Sequence, residues 1–263
     1  MTLFLRAPSS ATYAPLCTRL LPDVWHHRHN QQEFLLAKKK VHSFEGERAS
    51  VTWDSALCIH AEECIRATSP LFELHRKPWG QPDLVEDREL DDVIRRCPTG
   101  SLAYQMKDGS PREEAEAENT VTISVNGPAY IRGQLEFEGD EGEGATVFRA
   151  ALCRCGHSKN KPFCDNSHFK AKFRDSGAVG REGPGFEEEG GPLTITTKQN
   201  GSLRLRGNVS IRSASGTIRW RGSKVSLCRC GLSKSKPFCD GSHREGNFEA
   251  DGFVKATVPK PEH

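Results

Sequence analysis

Residues 153–168 read CRCGHSKNKPFCDNSH and residues 228–243 read CRCGLSKSKPFCDGSH, identical at thirteen of sixteen positions and offset by 75. Each copy holds three cysteines and a histidine: Cys153, Cys155, Cys164 and His168, then Cys228, Cys230, Cys239 and His243. Four strong donors compressed into sixteen residues, twice, make each copy a metal-site candidate. The repeat also extends upstream. VTISV (121–125) leads through Asn126-Gly127 to AYIRGQLEF, and LTITT (193–197) leads through Asn200-Gly201 to SLRLRGNVSI. Period-two alternation about Asn-Gly predicts a β-hairpin. Gly133 and Gly207 match at an offset of 74, and Phe173 and Phe248 at 75, so the duplicated unit is a module of about sixty residues.

In the second copy, Cys228 and Cys230 reach one metal only through a tight loop, which Gly231 can relax. Pro237 ends the intervening segment, and Asp240, Gly241 and Ser242 predict a helix start. Cys239 and His243 would then lie four apart on one helical face. A single zinc ion accepts three Cys and one His, usually with two to four residues between paired cysteines, whereas one residue separates them here. A two-iron cluster offers one metal to each donor pair. Spacing leaves both open and leans to the cluster.

The second copy also resembles, position by position, the CDGSH iron–sulfur family pattern C-x-C-x2-[ST]-x3-P-x-C-D-G-[SAT]-H, with Ser233, Pro237, Asp240 and Gly241 at its non-ligand positions. The resemblance implies a [2Fe–2S] cluster on Cys228, Cys230, Cys239 and His243, and a second on Cys153, Cys155, Cys164 and His168. The first copy departs at Asn166, where the family has Gly. Asn tolerates left-handed backbone, so binding is expected to survive, with some change in cluster stability. One His in place of a thiolate makes the cluster less negative, which predicts a potential between plant-type ferredoxins and two-His centres. Reduction should also raise the imidazole's proton affinity, and acid should loosen the His–iron bond. Family members with one motif form two-fold dimers, so two motifs in one chain are expected to fold as an internal pseudo-dimer.

Three further cysteines follow another pattern. CIHAEEC (58–64) and CPTG (97–100) place Cys58, Cys64 and Cys97 where ferredoxins carry local cysteines and a remote Cys-Pro, with Ala61 at the middle local position. SVTWDS (50–55) predicts a strand, EDRELDDVIRRC (86–97) a helix and SLAY (101–104) a second strand, with KPWG (77–80) between. This stretch resembles the divergent single-cluster ferredoxin domain found beside CDGSH modules. That implies a cluster on Cys58, Cys64 and Cys97: with three thiolates a [3Fe–4S] fits best, and a [4Fe–4S] needs another ligand. His60 is a candidate for it, although a surface histidine is the plainer reading. Loss of the cluster is the remaining alternative.

The expected fold is α+β: a small ferredoxin-like domain (41–107), a charged linker (108–119), a first mainly-β module (120–178), a Gly/Pro/Glu linker (179–192) and a second module (193–258). Residues 1–40 form an extension, disordered or a transit peptide, with Cys17 a stray thiol and Trp25–His29 a solvated run. Odd cysteine groups, each near a histidine, argue against disulfides and for a reducing compartment. That suggests the cytoplasm, or an organelle matrix if the extension is a transit peptide. Net charge near +2 gives no reason to expect nucleic acid, and no apolar run is long enough for a membrane span. GREGPG (180–185) has the wrong spacing for a nucleotide loop, and no catalytic set stands apart from the ligands. The expectation is a monomeric, non-enzymatic iron–sulfur protein that passes electrons or clusters between redox or cluster-acceptor proteins, with an accessory role in an oxidoreductase as a further option. The alternative is a structural zinc module, with Lys159, Lys161, Lys234 and Lys236 as a basic docking face.

Overall fold

AYIRGQLEF buries every second side chain. Ile131, Leu135 and Phe137 of β5 (Ala129–Phe137) face inward, while Tyr130, Arg132 and Gln134 stay half-exposed. The structure, a computed structural model, describes residues 41–110, 113–138 and 146–252. Cys17, the Trp25–His29 run and the reading of residues 1–40 lie outside the described residues, as does the second module beyond 252. Strands dominate and helices are few. Among the described residues no helix is long and apolar enough to cross a membrane.

Near the N-terminus, β1 (Val41–Glu45), β2 (Ala49–Asp54) and β3 (Leu102–Met106) form a three-stranded antiparallel sheet in that order. Between β2 and β3 run α1 (Glu63–Arg66) and α2 (Asp87–Arg95). The helix predicted over 86–97 is thus observed, and it buries Leu90, Val93 and Ile94 against Val51, Leu71 and Phe72.

Both repeats feed one six-stranded sheet. In the first, β4 (Thr120–Ile123), β5 and β6 (Thr146–Leu152) pair antiparallel. In the second, β7 (Leu193–Thr197), β8 (Leu203–Arg212) and β9 (Ile218–Leu227) do the same. Asn126 (φ 54) and Asn200 (φ 51) take left-handed backbone in the two Asn-Gly turns. Two parallel pairings join the repeats: β4 to β8 through Val121↔Ile211, and β5 to β7 through Glu136↔Thr194. One apolar core, including Ile131, Leu135, Ile195, Leu205 and Ile211, is drawn from both.

The charged stretch before β4 is anchored. Glu113 meets Arg149 at 2.5 Å, Glu116 meets Arg132 at 3.0 Å and Glu118 meets Arg212 at 2.9 Å. Its carboxylates, which read as linker in the sequence, neutralise arginines on β5, β6 and β8.

Candidate metal centres

In the first motif, Cys153 Sγ lies 3.7 Å from Cys155 Sγ, and Cys164 Sγ lies 3.5 Å from His168 Nδ1. The second motif repeats both separations, 3.7 Å for Cys228–Cys230 and 3.5 Å for Cys239–His243. Two thiolates on one tetrahedral metal, each at roughly 2.3 Å, stand about 3.8 Å apart; a thiolate and an imidazole nitrogen stand about 3.5 Å apart. Each pair therefore has the separation of two vertices of a tetrahedron around one metal atom. A disulfide would bring the sulfurs to about 2.05 Å. Among the described residues, no three His, Cys, Asp or Glu side chains converge to hold a single ion. The donors come as pairs.

The non-ligand positions build the loop. Ser158 Oγ donates to Phe163 O (2.6 Å) and Ser233 Oγ to Phe238 O (2.7 Å). Cys153 N donates to Pro162 O and Cys228 N to Pro237 O, both at 2.8 Å. Asp165 accepts from Ser167 N and Lys159 N, as Asp240 does from Ser242 N and Lys234 N, tying the two donor pairs together. The Ser242 hydroxyl and amide hold the Asp240 carboxyl well below its usual range. Lys161 and Lys236 turn inward to Ser158 O and Ser233 O, so half of the suspected basic docking face serves its own loop.

The helix predicted from Asp240 is corrected. In the first motif α3 (Ser167–Lys170) begins only after Asn166, which sits at φ 68, so Cys164 precedes the helix. In the second motif residues 242–247 form turns, with Gly241 at φ 93. A left-handed residue, rather than a shared helical face, folds the histidine back onto its cysteine. Asn166 adopts that conformation, as expected of it.

Sequence reasoning missed the arginine between the paired cysteines, although its recurrence at an offset of 75 was a signal. Arg154 and Arg229 are almost wholly buried. Arg154 donates to Gly127 O, Ser124 O and Asp175, and lies over the Phe173 ring. Arg229 donates to Gly201 O, Lys198 O and Asp251 O, over Phe248. Each arginine thus ties the Cys-x-Cys loop to the hairpin turn and to the segment after the histidine.

The thiols are tuned by neighbours. Within each Cys-x-Cys pair one thiol hydrogen-bonds the other sulfur, which lowers the accepting thiol and pushes its donor up. Burial pushes Cys164 up to about 11 and lowers His168. Backbone N–H groups of His157, Asn166 and Leu232 point at Cys155, Cys164 and Cys230 Sγ, each at 3.4 Å. Such donors stabilise thiolate charge.

Burial, then the charges of Cys97 and Cys58, raises Cys64 to about 11, so these three cysteines share one neighbourhood. His60 and Glu62 take left-handed backbone (φ 52 and 61). His60 is exposed.

The three donor sets abut in chain order. Ile59, Ala151 and the candidate ligand Cys164 form one apolar cluster, against which Ala61 and Tyr130 pack. Asn160 Nδ2 donates to Ala56 O (2.8 Å) and Asn166 Nδ2 to Ile59 O (2.6 Å). Arg149 donates to Cys97 O at 2.9 Å and Leu102 O at 3.1 Å. On the other side the two motifs touch back to back. Gly156 and Gly231 both sit at φ 82, and a Cβ on them would lie 2.3 Å from Cys230 O and 2.6 Å from Cys155 O respectively.

Comparison with known proteins follows this division. A family model described as "Divergent 4Fe-4S mono-cluster" matches residues 44–107, and one described as "Iron-binding zinc finger CDGSH type" matches 126–169 and again 200–244. The chain belongs to the CDGSH iron–sulfur family, with a divergent 4Fe–4S mono-cluster domain ahead of its two motifs. Curated relatives are named "Uncharacterized protein YjdI", from Escherichia coli strains K12 and O157:H7. Each is 41% identical over 64 residues, which is 24% of this chain and 84% of the relative. No solved structure matches it. This CDGSH protein is therefore an iron–sulfur protein, and both families to which its domains match are cluster-binding ones.

Proposed function

We propose that this CDGSH protein carries three clusters in series and passes electrons between protein partners. Cys153, Cys155, Cys164 and His168 would hold one [2Fe–2S] cluster, Cys228, Cys230, Cys239 and His243 a second, and Cys58, Cys64 and Cys97 a [3Fe–4S] cluster. The observation that carries the reading is the donor pairing at 3.7 and 3.5 Å, one pair for each iron. A structural zinc would need all four donors around one ion. Once bound, the clusters supply one-electron redox chemistry. The chain's own residues fix the donors, aim N–H groups at the thiolates and bury the first set on two sides.

The two modules form an internal pseudo-dimer in this reading. Support comes from the parallel pairings of β4 with β8 and β5 with β7, which set the first strand of each repeat beside the second strand of the other. One chain then suffices, with a ferredoxin-like domain at 41–107 and partners drawn from redox or cluster-acceptor proteins in the cytoplasm. A second reading, release of a whole cluster, is favoured at the second motif. There Cys239 and His243 are half-exposed, whereas Cys164 and His168 are buried.

The test is iron, acid-labile sulfide and zinc per chain after anaerobic purification, with the visible spectrum. About seven irons, with absorbance that bleaches on reduction, are expected, and about four if the N-terminal domain is empty. Two zincs without sulfide refute the reading.

A further inference from the structure

Register places Arg132 opposite Arg149 in the first module and Arg206 opposite Lys224 in the second. These are equivalent pairs on equivalent faces, and their fates differ. Arg132 donates to Arg95 O and to Glu116, while Arg149 is buried among Ile94 O, Cys97 O, Leu102 O and Glu113. The N-terminal domain and the segment behind it cover that face. Arg206 and Lys224 are exposed, and neither forms an ion pair among the described residues. One step along the strands, Tyr130 opposite Ala151 lies under Ile59, whereas the equivalent Arg204 opposite Ser226 faces solvent.

We propose that the face carrying Arg204, Arg206 and Lys224 is the docking surface for an acidic redox protein, seated on the second module as the N-terminal domain is seated on the first. The proposal deepens the electron-transfer reading and rests on it for the partner's chemistry. Three further observations select this occupant. First, the face adjoins the donor pair: Cys239 N donates to Ser226 O, as Cys164 N does to Ala151 O beneath the N-terminal domain. Second, the motif residues that bind the N-terminal domain, Asn160 and Asn166, are Ser235 and Gly241 here, which leaves Cys239 and His243 half-exposed at its edge. Third, the cationic run is short. The row Lys224–Arg206–Thr194 ends on Glu136, and Glu138 bonds Thr196 in the next row. An extended polyanion would meet those carboxylates; a compact acidic protein over the donor pair would not.

The test uses the full chain, purified anaerobically, and a small, strongly acidic [2Fe–2S] ferredoxin labelled with 15N as probe. Binding is followed by chemical shift at low and raised salt. The double reversal Arg206→Glu/Lys224→Glu is compared with Lys77→Glu/Arg88→Glu, an equal charge change on exposed residues of the N-terminal domain. The expected result is at least about tenfold weaker binding for the first variant, near-parental binding for the second, and weakening of the parent by salt. No binding by the parent, or equal binding by the two variants, overturns the proposal. So does binding of an RNA oligomer or anionic vesicles, without the ferredoxin, that the first variant abolishes. A concentration-dependent dimer in sedimentation that the same variant dissolves assigns the face to a second copy and overturns it too. Iron and sulfide are measured on every sample. Zinc without sulfide would refute the redox reading, while the binding arms would still decide whether an acidic protein docks here.

Discussion

Two of the three positions at which the sixteen-residue motifs differ are asparagines that reach across to the N-terminal domain. Asn160→Ser/Asn166→Gly restores the second motif's residues at both and deletes the bonds to Ala56 O (2.8 Å) and Ile59 O (2.6 Å). Each such bond contributes about 0.5–1.5 kcal/mol net, so the contact should weaken by about 1–3 kcal/mol, a factor of roughly 5 to 150 in the opening equilibrium. Backbone effects at 166 largely cancel. Glycine loses more entropy on folding but relieves a left-handed asparagine at φ 68. Hydrogen exchange of peptides spanning 56–66 reads that equilibrium directly, and exchange should quicken by the same factor. All four donors of the first motif remain, so its visible absorbance should persist. The reciprocal Ser235→Asn/Gly241→Asn should leave exchange at 56–66 untouched. Unchanged exchange in the first variant, or loss of the first cluster with it, would refute the claim that these asparagines serve the domain contact.

Gly156→Ala should cost at least about 2 kcal/mol, from left-handed strain and from a Cβ 2.3 Å from Cys230 O. Because that carbonyl belongs to the second motif, absorbance from both motif clusters should fall, whereas damage confined to one would contradict the back-to-back contact. Arg149→Met leaves the buried Glu113 carboxylate unpaired and should destabilise the chain by about 3–5 kcal/mol at neutral pH; Arg149→Met/Glu113→Gln should recover part of that in denaturant titrations. Burial already raises Glu113 above its ordinary 4.5, with Arg149 opposing. The stability tied to its protonation is therefore present below that value and is lost as pH rises through the folded one. In Arg149→Met the folded value climbs further, so the loss as pH rises above 4.5 should widen and extend to higher pH than in the parent.

Local pattern carried much of the fold. The segments AYIRGQLEF and LTITT coincide with β5 and β7, because period two with one buried face is a local property. The strands β1, β6 and β9 were not anticipated. In β9, IRWRGSKVSL mixes charge into both phases, because its outward side chains face water and its register shifts near Trp220. The helix expected at Asp240 failed for a local reason as well. Asp, Gly and Ser start helices, but here the Asp side chain is occupied with Lys234 N and Ser242 N in closing the loop.

The sequence alone pointed to the candidate donor pairs and the hairpins, which depend on residues within about sixteen positions of one another, and to the duplication, which shows as a repeat at an offset of 75. Tertiary structure decided which centre lies beside which. Asn160 meets Ala56 across 104 residues, Asn166 meets Ile59 across 107, and Arg149 meets Cys97 across 52. Contacts at such separations leave no periodicity behind. An asparagine that bridges two domains reads, in one dimension, as a tolerated departure from glycine. The parallel pairing between repeats is equally invisible, because β4 has the same alternation whether its parallel neighbour comes from its own module or the other one. Only folding the two repeats onto one core, with the N-terminal domain against the first, leaves the first donor set enclosed on both sides and the Cys239–His243 pair of the second half-exposed.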